Sequence, residues 1–314
     1  MVAQSDDAQR AVAKEVVDAW NLSAVTPARQ RARSLDSPRT AVPIPRMTPL
    51  HLGTCGWNYD AWVGPFYPSR TRPVDFLSTY ARAFDTVEVD STFYAIPPAK
   101  TVRGWASRVG EGFEFALKLP QAITHELRLR AAADLCKRFF DVSRELGRKL
   151  GPILIQLGPD FGPSELPALA AFLPTLPADL RFALEFRHKG WIHEGVIALL
   201  AEHHVALALV DGRWIQRRTM TMLAERPTAD FAYIRWMGPN RDLVDYSRIQ
   251  VDRRKELEAW MKAIAILAPK VRVSYGYVNN HFAGHAPATV RMLQEMMGMS
   301  VTDPAKLGDQ LTLF

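Results

Sequence analysis

Two carboxylates close the stretch TVEVD at 86–90. If side chains alternate, Glu88 and Asp90 point one way while Val87 and Val89 point the other. The same alternation in FEFALK (113–118) sets Phe113, Phe115 and Leu117 against Glu114, Ala116 and Lys118. In RFALEFR (181–187) Ala183, Glu185 and Arg187 share the polar side; Gln156 takes it in ILIQL, and Tyr233 and Arg235 take it in FAYIRW. Asp211 ends VALALVD, and Asn279, Asn280 and His281 follow VRVSYGYV. Burial in one closed site moves a carboxylate and a lysine toward neutrality, which is what acid/base catalysis needs. Glu88 or Glu185 is therefore a candidate base, Lys118 or His281 a candidate acid, and Asn280 a candidate oxyanion donor. Lys118, Arg187 and Arg235 suit an anionic substrate. Backbone N–H groups near Phe282 to Ala286 suit a phosphate at the start of the last helix. Asp90, Gln156, Asp211 and Asn279 complete the polar binding set.

Each of these groups also has a purely structural reading. Glu88 with Lys118, or Glu185 with Arg187 or Arg235, can be ion pairs and nothing more. Burying so many charges is costly unless each is paired, so the whole set points to a site more strongly than any one member. A metal is a second chemistry: Glu88, Asp90, Glu185 and Asp211 with His281 and His285 offer oxygen and imidazole ligands. Lys118, Arg187 and Arg235 in the same ring would repel a divalent ion, and no metal or cofactor is assigned. Aromatic residues crowd the first two loops, among them Trp57, Tyr59 and Tyr94. With Arg and Lys they can stack the bases of a single strand of nucleic acid, or they can simply pack a lid. No GxxxxGK[ST], CxxC, HExxH or GxSxG motif is present.

The elements that must position these groups are legible as eight short apolar runs. They lie at 51–56, 86–90, 113–118, 153–157, 181–186, 205–211, 231–236 and 271–278. Helical stripes fall between them: Leu77, Tyr80, Ala81 and Phe84; Leu135, Phe139, Val142 and Leu146; Leu257, Trp260, Met261, Ile264 and Leu267; Val290, Leu293 and Met297. Strands alternating with helices at this count predict an α/β chain, a (β/α)8 TIM-type barrel with its site at the C-terminal ends of the strands. An open doubly wound sheet is the rival, and the missing GxGxxG after the first strand counts against its dinucleotide-binding form. The expected organisation is an N-terminal arm over 1–48, a single barrel domain over 49–299 and a C-terminal tail over 300–314. Asp6 to Trp20 reads as a short helix in that arm, and the Pro- and Arg-rich stretch after it as a mobile linker.

The motifs GTCGWNYDAWVGPFYP (53–68), FDTVEVDSTFYAIP (84–97), FEFALKLP (113–120), GPILIQLGPDF (151–161), FRHKGW (186–191) and YGYVNNHFAGHAPATV (275–290) together resemble the YecE-like family, domain of unknown function 72. The resemblance covers roughly residues 50 to 298 and implies a TIM barrel, with no established activity. Two departures stand out. Asp90 replaces the Asn that the family often has before TFY, and IRWMG (234–238) replaces an aromatic-Arg-His-Gly run, removing a histidine from that position.

The chain of 314 residues is 48% hydrophobic and 23% charged, ordinary for a globular protein. Its formal charge of +6 is spread along the chain, so a nucleic-acid partner is permitted rather than indicated. Cys55 and Cys136 make neither a disulfide framework nor a zinc spacing. The opening residues lack an apolar secretory core, and no run is long enough to span a bilayer, so a cytoplasmic protein with no membrane partner is expected. The functional expectation is acid/base chemistry on a phosphate-bearing or otherwise anionic small molecule. The alternative is a metal-dependent phosphoesterase or a protein that binds single-stranded nucleic acid.

Overall fold

Runs rich in Val, Ile, Leu and Phe with a period of two form the strands of this computed structural model, which describes residues 48–239 and 242–308. They are β1 (Leu50–Thr54), β2 (Thr86–Val89), β3 (Glu114–Lys118), β4 (Leu150–Gln156), β5 (Phe182–Glu185), β6 (Ala206–Leu207), β7 (Leu209–Gly212), β8 (Phe231–Gly238) and β9 (Val273–Val278). Every expected strand is present, and the sixth is divided in two. The pairing is parallel throughout, in the orders β1-β9-β8-β7 and β2-β3-β4-β5-β6. This is an α/β fold of two parallel sheets, where one uninterrupted ring of eight strands was expected.

The two sheets touch at both seams. Cys55 and Glu88 form a parallel bridge just beyond the end of β1. There Cys55 N–H donates to Val278 O at 2.9 Å and Gly56 N–H to Glu88 O at 2.7 Å. A Cβ on Gly53 would lie 2.1 Å from Thr86 O, so only glycine lets β1 approach β2 this closely. At the other seam a single residue, Ala208, separates β6 from β7, and its N–H donates to Leu184 O at 2.9 Å. The chain thus leaves β5 as a partner and takes up β8.

Alternation sorts the core into two sets. One side of the strands carries Val87, Phe115, Leu117, Ile153, Leu184, Ile234 and Trp236, all buried in a large apolar cluster. Helices cover that side, including Ala133–Ser143, Arg254–Leu267 and Ala286–Met296. Their buried residues include the expected Phe139, Leu257, Trp260, Ile264, Val290 and Leu293. The opposite side carries Ala116, Ala183, Ala206 and Ala208 against Tyr233, Tyr275 and Tyr277. Small side chains on β3, β5 and β6 leave room for tyrosines from β8 and β9, and the two sets pack in one buried cluster. Of the expected tail, residues 300–308 are described, with Leu307 buried and its carbonyl accepting from Arg82. The expected helix at 6–20 and the rest of the arm up to 47 lie outside the described residues, as do 309–314. No described helix is long and apolar enough to cross a membrane.

Candidate functional site

Strand ends deliver the polar residues in two layers. The lower layer is centred on Arg235, whose guanidinium is fully buried. It donates to Glu88 Oε1 at 2.6 Å, to Glu185, and to Gln156 Oε1 at 3.4 Å. Tyr233 donates to the second oxygen of Glu88 at 2.6 Å, and Arg187 Nε donates to Glu185 Oε1 at 2.8 Å. Both carboxylates are therefore occupied by buried donors. Arg235 Nε and Asn280 Nδ2 are buried and find no acceptor among the described residues, which leaves two unmatched donors in this region.

Burial on its own would push the Glu185 carboxyl up. The charges of Arg235 and then Arg187 overcome it and hold the group down at about 2, against an ordinary value of 4.5. Above pH 4.5 the folded and unfolded states are both ionised at this residue and the full stabilisation is present. As pH falls from 4.5 to about 2 the unfolded chain takes up the proton first, so stability is lost across that window. The displacement corresponds to about 3 kcal/mol. Urea denaturation between those pH values will show a steeper decline in the wild type than in Glu185→Gln, which keeps only the contribution of other ion-paired carboxylates such as Glu165 and Asp160.

The upper layer is a cavity of about 610 Å³ at the C-terminal ends of the strands. Of the sequence candidates, Tyr59, Asp90, Tyr94, Lys118, Gln156, Arg187, Asn279 and His281 line it. Lys118 is almost fully buried, with Nζ 3.0 Å from Asp90 Oδ1 and 4.5 Å from the Phe93 ring centre. Asn279 caps the turn Asn280–Ala283, its Oδ1 accepting from His281 N–H at 3.0 Å, and this lifts His281 onto the wall. His281 Nε2 lies 3.2 Å from the hydroxyl of Tyr246. Gly238, at φ 79°, ends β8 against that turn, where a Cβ would meet His281 O at 2.3 Å.

Four placements differ from expectation. Asp211 shares its parity with Leu207 and Leu209, so it faces the helices. Its Oδ2 accepts from Trp260 Nε1 at 2.8 Å and from Arg217 Nε at 2.6 Å. Trp57 packs edge-on to Trp105 and Phe115, away from the cavity. Asn280 lies beneath the wall, its Oδ1 accepting from Trp62 Nε1 at 3.3 Å and Ala286 N–H at 2.9 Å. The same contact uses a backbone donor expected to hold phosphate. Phe282 and Gly284 N–H also bond internally, to Asn279 O and Asn280 O. His285 is buried with Nδ1 2.7 Å from Tyr246 O, and so leaves the ligand ring imagined for a metal.

The group of potential metal ligands among the described residues is Cys55, Glu88 and Asp90, whose donor atoms lie within 4.8 Å of one another. It suits a cation poorly. Both Glu88 oxygens are taken, Asp90 is paired with Lys118, and burial followed by the Glu88 charge pushes the Cys55 thiol well up. Sequence reasoning missed His125, Gln121, Arg213, Trp214 and Met237, which also line the cavity. Arg213 stacks 4.2 Å from the Trp214 ring centre, and no carboxylate among the described residues pairs with it.

The family model described as "Protein of unknown function DUF72" matches residues 51–310. UPF0759 protein YecE of Escherichia coli (strain K12) is 33% identical over 146 residues, which is 46% of this chain and 51% of that protein. The chain thus spans about half the length of that relative. UPF0759 protein YunF of Bacillus subtilis (strain 168) is 24% identical over 287 residues, 84% of this chain and 100% of that protein. Two solved structures share the fold. A DUF72 family protein from Thermotoga maritima MSB8 has a TM-score of 0.68 at 23% identity, covering 80% of this chain and 99% of its own. One from Enterococcus faecalis V583 has a TM-score of 0.63 at 20% identity, covering 81% and 99%.

Proposed function

This chain belongs to the DUF72 family, and from that premise we propose that its cavity binds a phosphate-bearing or otherwise anionic small molecule and works on it by acid/base chemistry. We read the two sheets, joined at Cys55–Glu88 and at Ala208, as one closed (β/α)8 ring whose C-terminal mouth is this cavity. The observation that carries the reading is the charge of the wall: Lys118, Arg187 and Arg213 face one carboxylate, Asp90. Glu88 sits below and is spent on Arg235 and Tyr233, while Glu185 is shared between Arg235 and Arg187 and offsets part of the Arg187 charge, so the wall keeps a net positive charge. In this reading Lys118, Arg187 and Arg213 grip the anion, with Gln156 and Asn279 as neutral partners. Asp90 orients Lys118. His281, beside Tyr246, supplies a proton. Glu88 and Glu185 are positioning residues for Arg235 and the mouth floor. A volume of about 610 Å³ suits a ligand of metabolite size. Two buried free thiols suit a reducing compartment, and the cytoplasm is the proposed location.

Isothermal calorimetry with inorganic phosphate tests this. One saturable site that weakens as sodium chloride rises is expected. No heat at millimolar phosphate in dilute buffer would reject it. A second reading, a single-stranded nucleic acid, is favoured by the rim, where Tyr94 is 72% and Trp214 37% exposed beside Arg213. It requires an oligonucleotide affinity that falls steeply with salt.

A further inference from the structure

We propose that His125 is the proton-accepting residue of this mouth, and that the strained, ion-paired segment directly after it is the device that holds it in place. The proposal rests on the anionic-ligand reading and deepens it by naming the group that would take a proton from a hydroxyl of the bound molecule.

His125 reaches the wall from an irregular backbone. Ala122–Glu126 is a π turn, closed by Leu127 N–H donating to Ala122 O at 2.9 Å. Such turns are rare and gather at functional sites. The next residues hold left-handed conformations without glycine: Arg128 at φ 50°, Leu129 at 65° and Ala131 at 48°. Conformations of this kind persist only where surrounding structure enforces them. Here the enforcement is visible. Arg128 Nε donates to Glu165 Oε1 at 2.6 Å, and its terminal nitrogens reach Glu165, Asp160 and, at 3.1 Å, Asp160 O. Arg130 adds a second pair to Glu165 at 2.7 Å. A clasp of two arginines and two carboxylates therefore anchors the segment to the loop after β4.

The imidazole is oriented as well as placed. Its ring stands edge-on to Phe93 at 5.2 Å, and Phe93 also lies under Lys118 Nζ. Nδ1 is 2.8 Å from Thr124 Oγ1, and that hydroxyl donates to Pro120 O at 3.4 Å. In the proposed tautomer Thr124 accepts from Nδ1–H and gives its own proton to Pro120 O, so that the lone pair lies on Nε2. Burial and then the charge of Arg187 hold the ring below its ordinary value, with Lys118 and Arg128 adding to this and Asp160 opposing it. At neutral pH the residue is a base. In the step it would perform, an O–H bond of the ligand breaks and an N–H bond forms on Nε2. The electron pair stays on the oxygen, and the bound anion offsets the imidazolium charge.

The test is a pH titration of the histidine Cε1–H resonances of the full chain by NMR, with the His125 signal assigned from His125→Gln, with and without inorganic phosphate. The expected midpoint lies below 6.5 in the free protein and rises by about one pH unit with saturating phosphate. In Arg128→Gln/Arg130→Gln the midpoint returns toward 6.5 and phosphate no longer moves it, although calorimetry still detects binding. If that pair unfolds the protein by circular dichroism, Glu165→Gln serves with the same expectation. Phosphate binding that leaves the His125 midpoint unmoved would overturn the role of His125 while the anionic-ligand reading stands. Absence of phosphate binding would overturn both. An unchanged response in the clasp variants would overturn the positioning device.

Discussion

Replacing Arg235 by Met is expected to cost about 3–5 kcal/mol of stability, because it strands two buried carboxylates. Glu88 and Glu185 are essentially inaccessible to water and both depend on this guanidinium. Tyr233 still serves one oxygen of Glu88 and Arg187 one of Glu185, so each loses half of its partners rather than all. The penalty belongs to the orphaned charges and not to the lost attraction. Adding Glu88→Gln and Glu185→Gln to Arg235→Met should therefore recover a large part of it, since a neutral amide is far cheaper to bury than an ion. Guanidinium denaturation of the single and triple variants measures both. A triple variant no more stable than the single one would mean that shape, rather than charge, governs the lower layer.

Lys118→Met is expected to abolish most anion binding while leaving the fold standing. Losing a charge-assisted hydrogen bond to a bound anion costs about 1.5–3 kcal/mol, or roughly tenfold to a hundredfold in affinity. The stability loss should be small, about 1 kcal/mol, because the partner Asp90 is partly exposed and can turn to water. Asp90→Asn is expected to act in the opposite direction. It removes the one carboxylate on the cavity wall, so phosphate binds more tightly. Calorimetric titration of both variants separates the account from one in which the pair is merely structural. In that case the two substitutions would change stability and leave phosphate affinity alone.

Much of this arrangement was legible before any coordinates, for a simple reason. A parallel strand covered by helices on one side alternates strictly, so Val87, Phe115, Leu184 and Ile234 announced the helix side and Glu88, Lys118, Glu185 and Arg235 the other. The same rule, applied to the sixth strand, places Ala206, Ala208 and Val210 with the tyrosines and Asp211 with the helices. Position at a strand end had outweighed parity for that residue. What alternation does not carry is depth. Glu88 and Lys118 share a side, yet one lies under the mouth and the other on its wall, because the register sets Glu88 level with Ala116, two residues short of Lys118. Asn279 and Asn280 are neighbours with different fates for a related reason. One caps a turn at the surface of the cavity, and the other bolts that turn to Trp62.

His125 was hidden for another reason. The π turn that delivers it has no periodic signature, and the left-handed residues after it are Arg, Leu and Ala, which signal no turn in sequence. Only the long-range contacts of Arg128 and Arg130 with Asp160 and Glu165 explain that path. Arg213 and Trp214 escaped notice because they lie in the loop after β7, beyond any alternating run.

The central claim is one of place: an anion is held where strand ends gather Lys118, Arg187 and Arg213. Crystals of the protein soaked in tungstate, a strongly scattering mimic of phosphate, test it most directly through anomalous difference density. The account predicts a peak within hydrogen-bonding reach of Lys118 Nζ and the guanidinium groups of Arg187 or Arg213. A mouth with no peak, in crystals that bind tungstate only at outer-surface arginines, would contradict it.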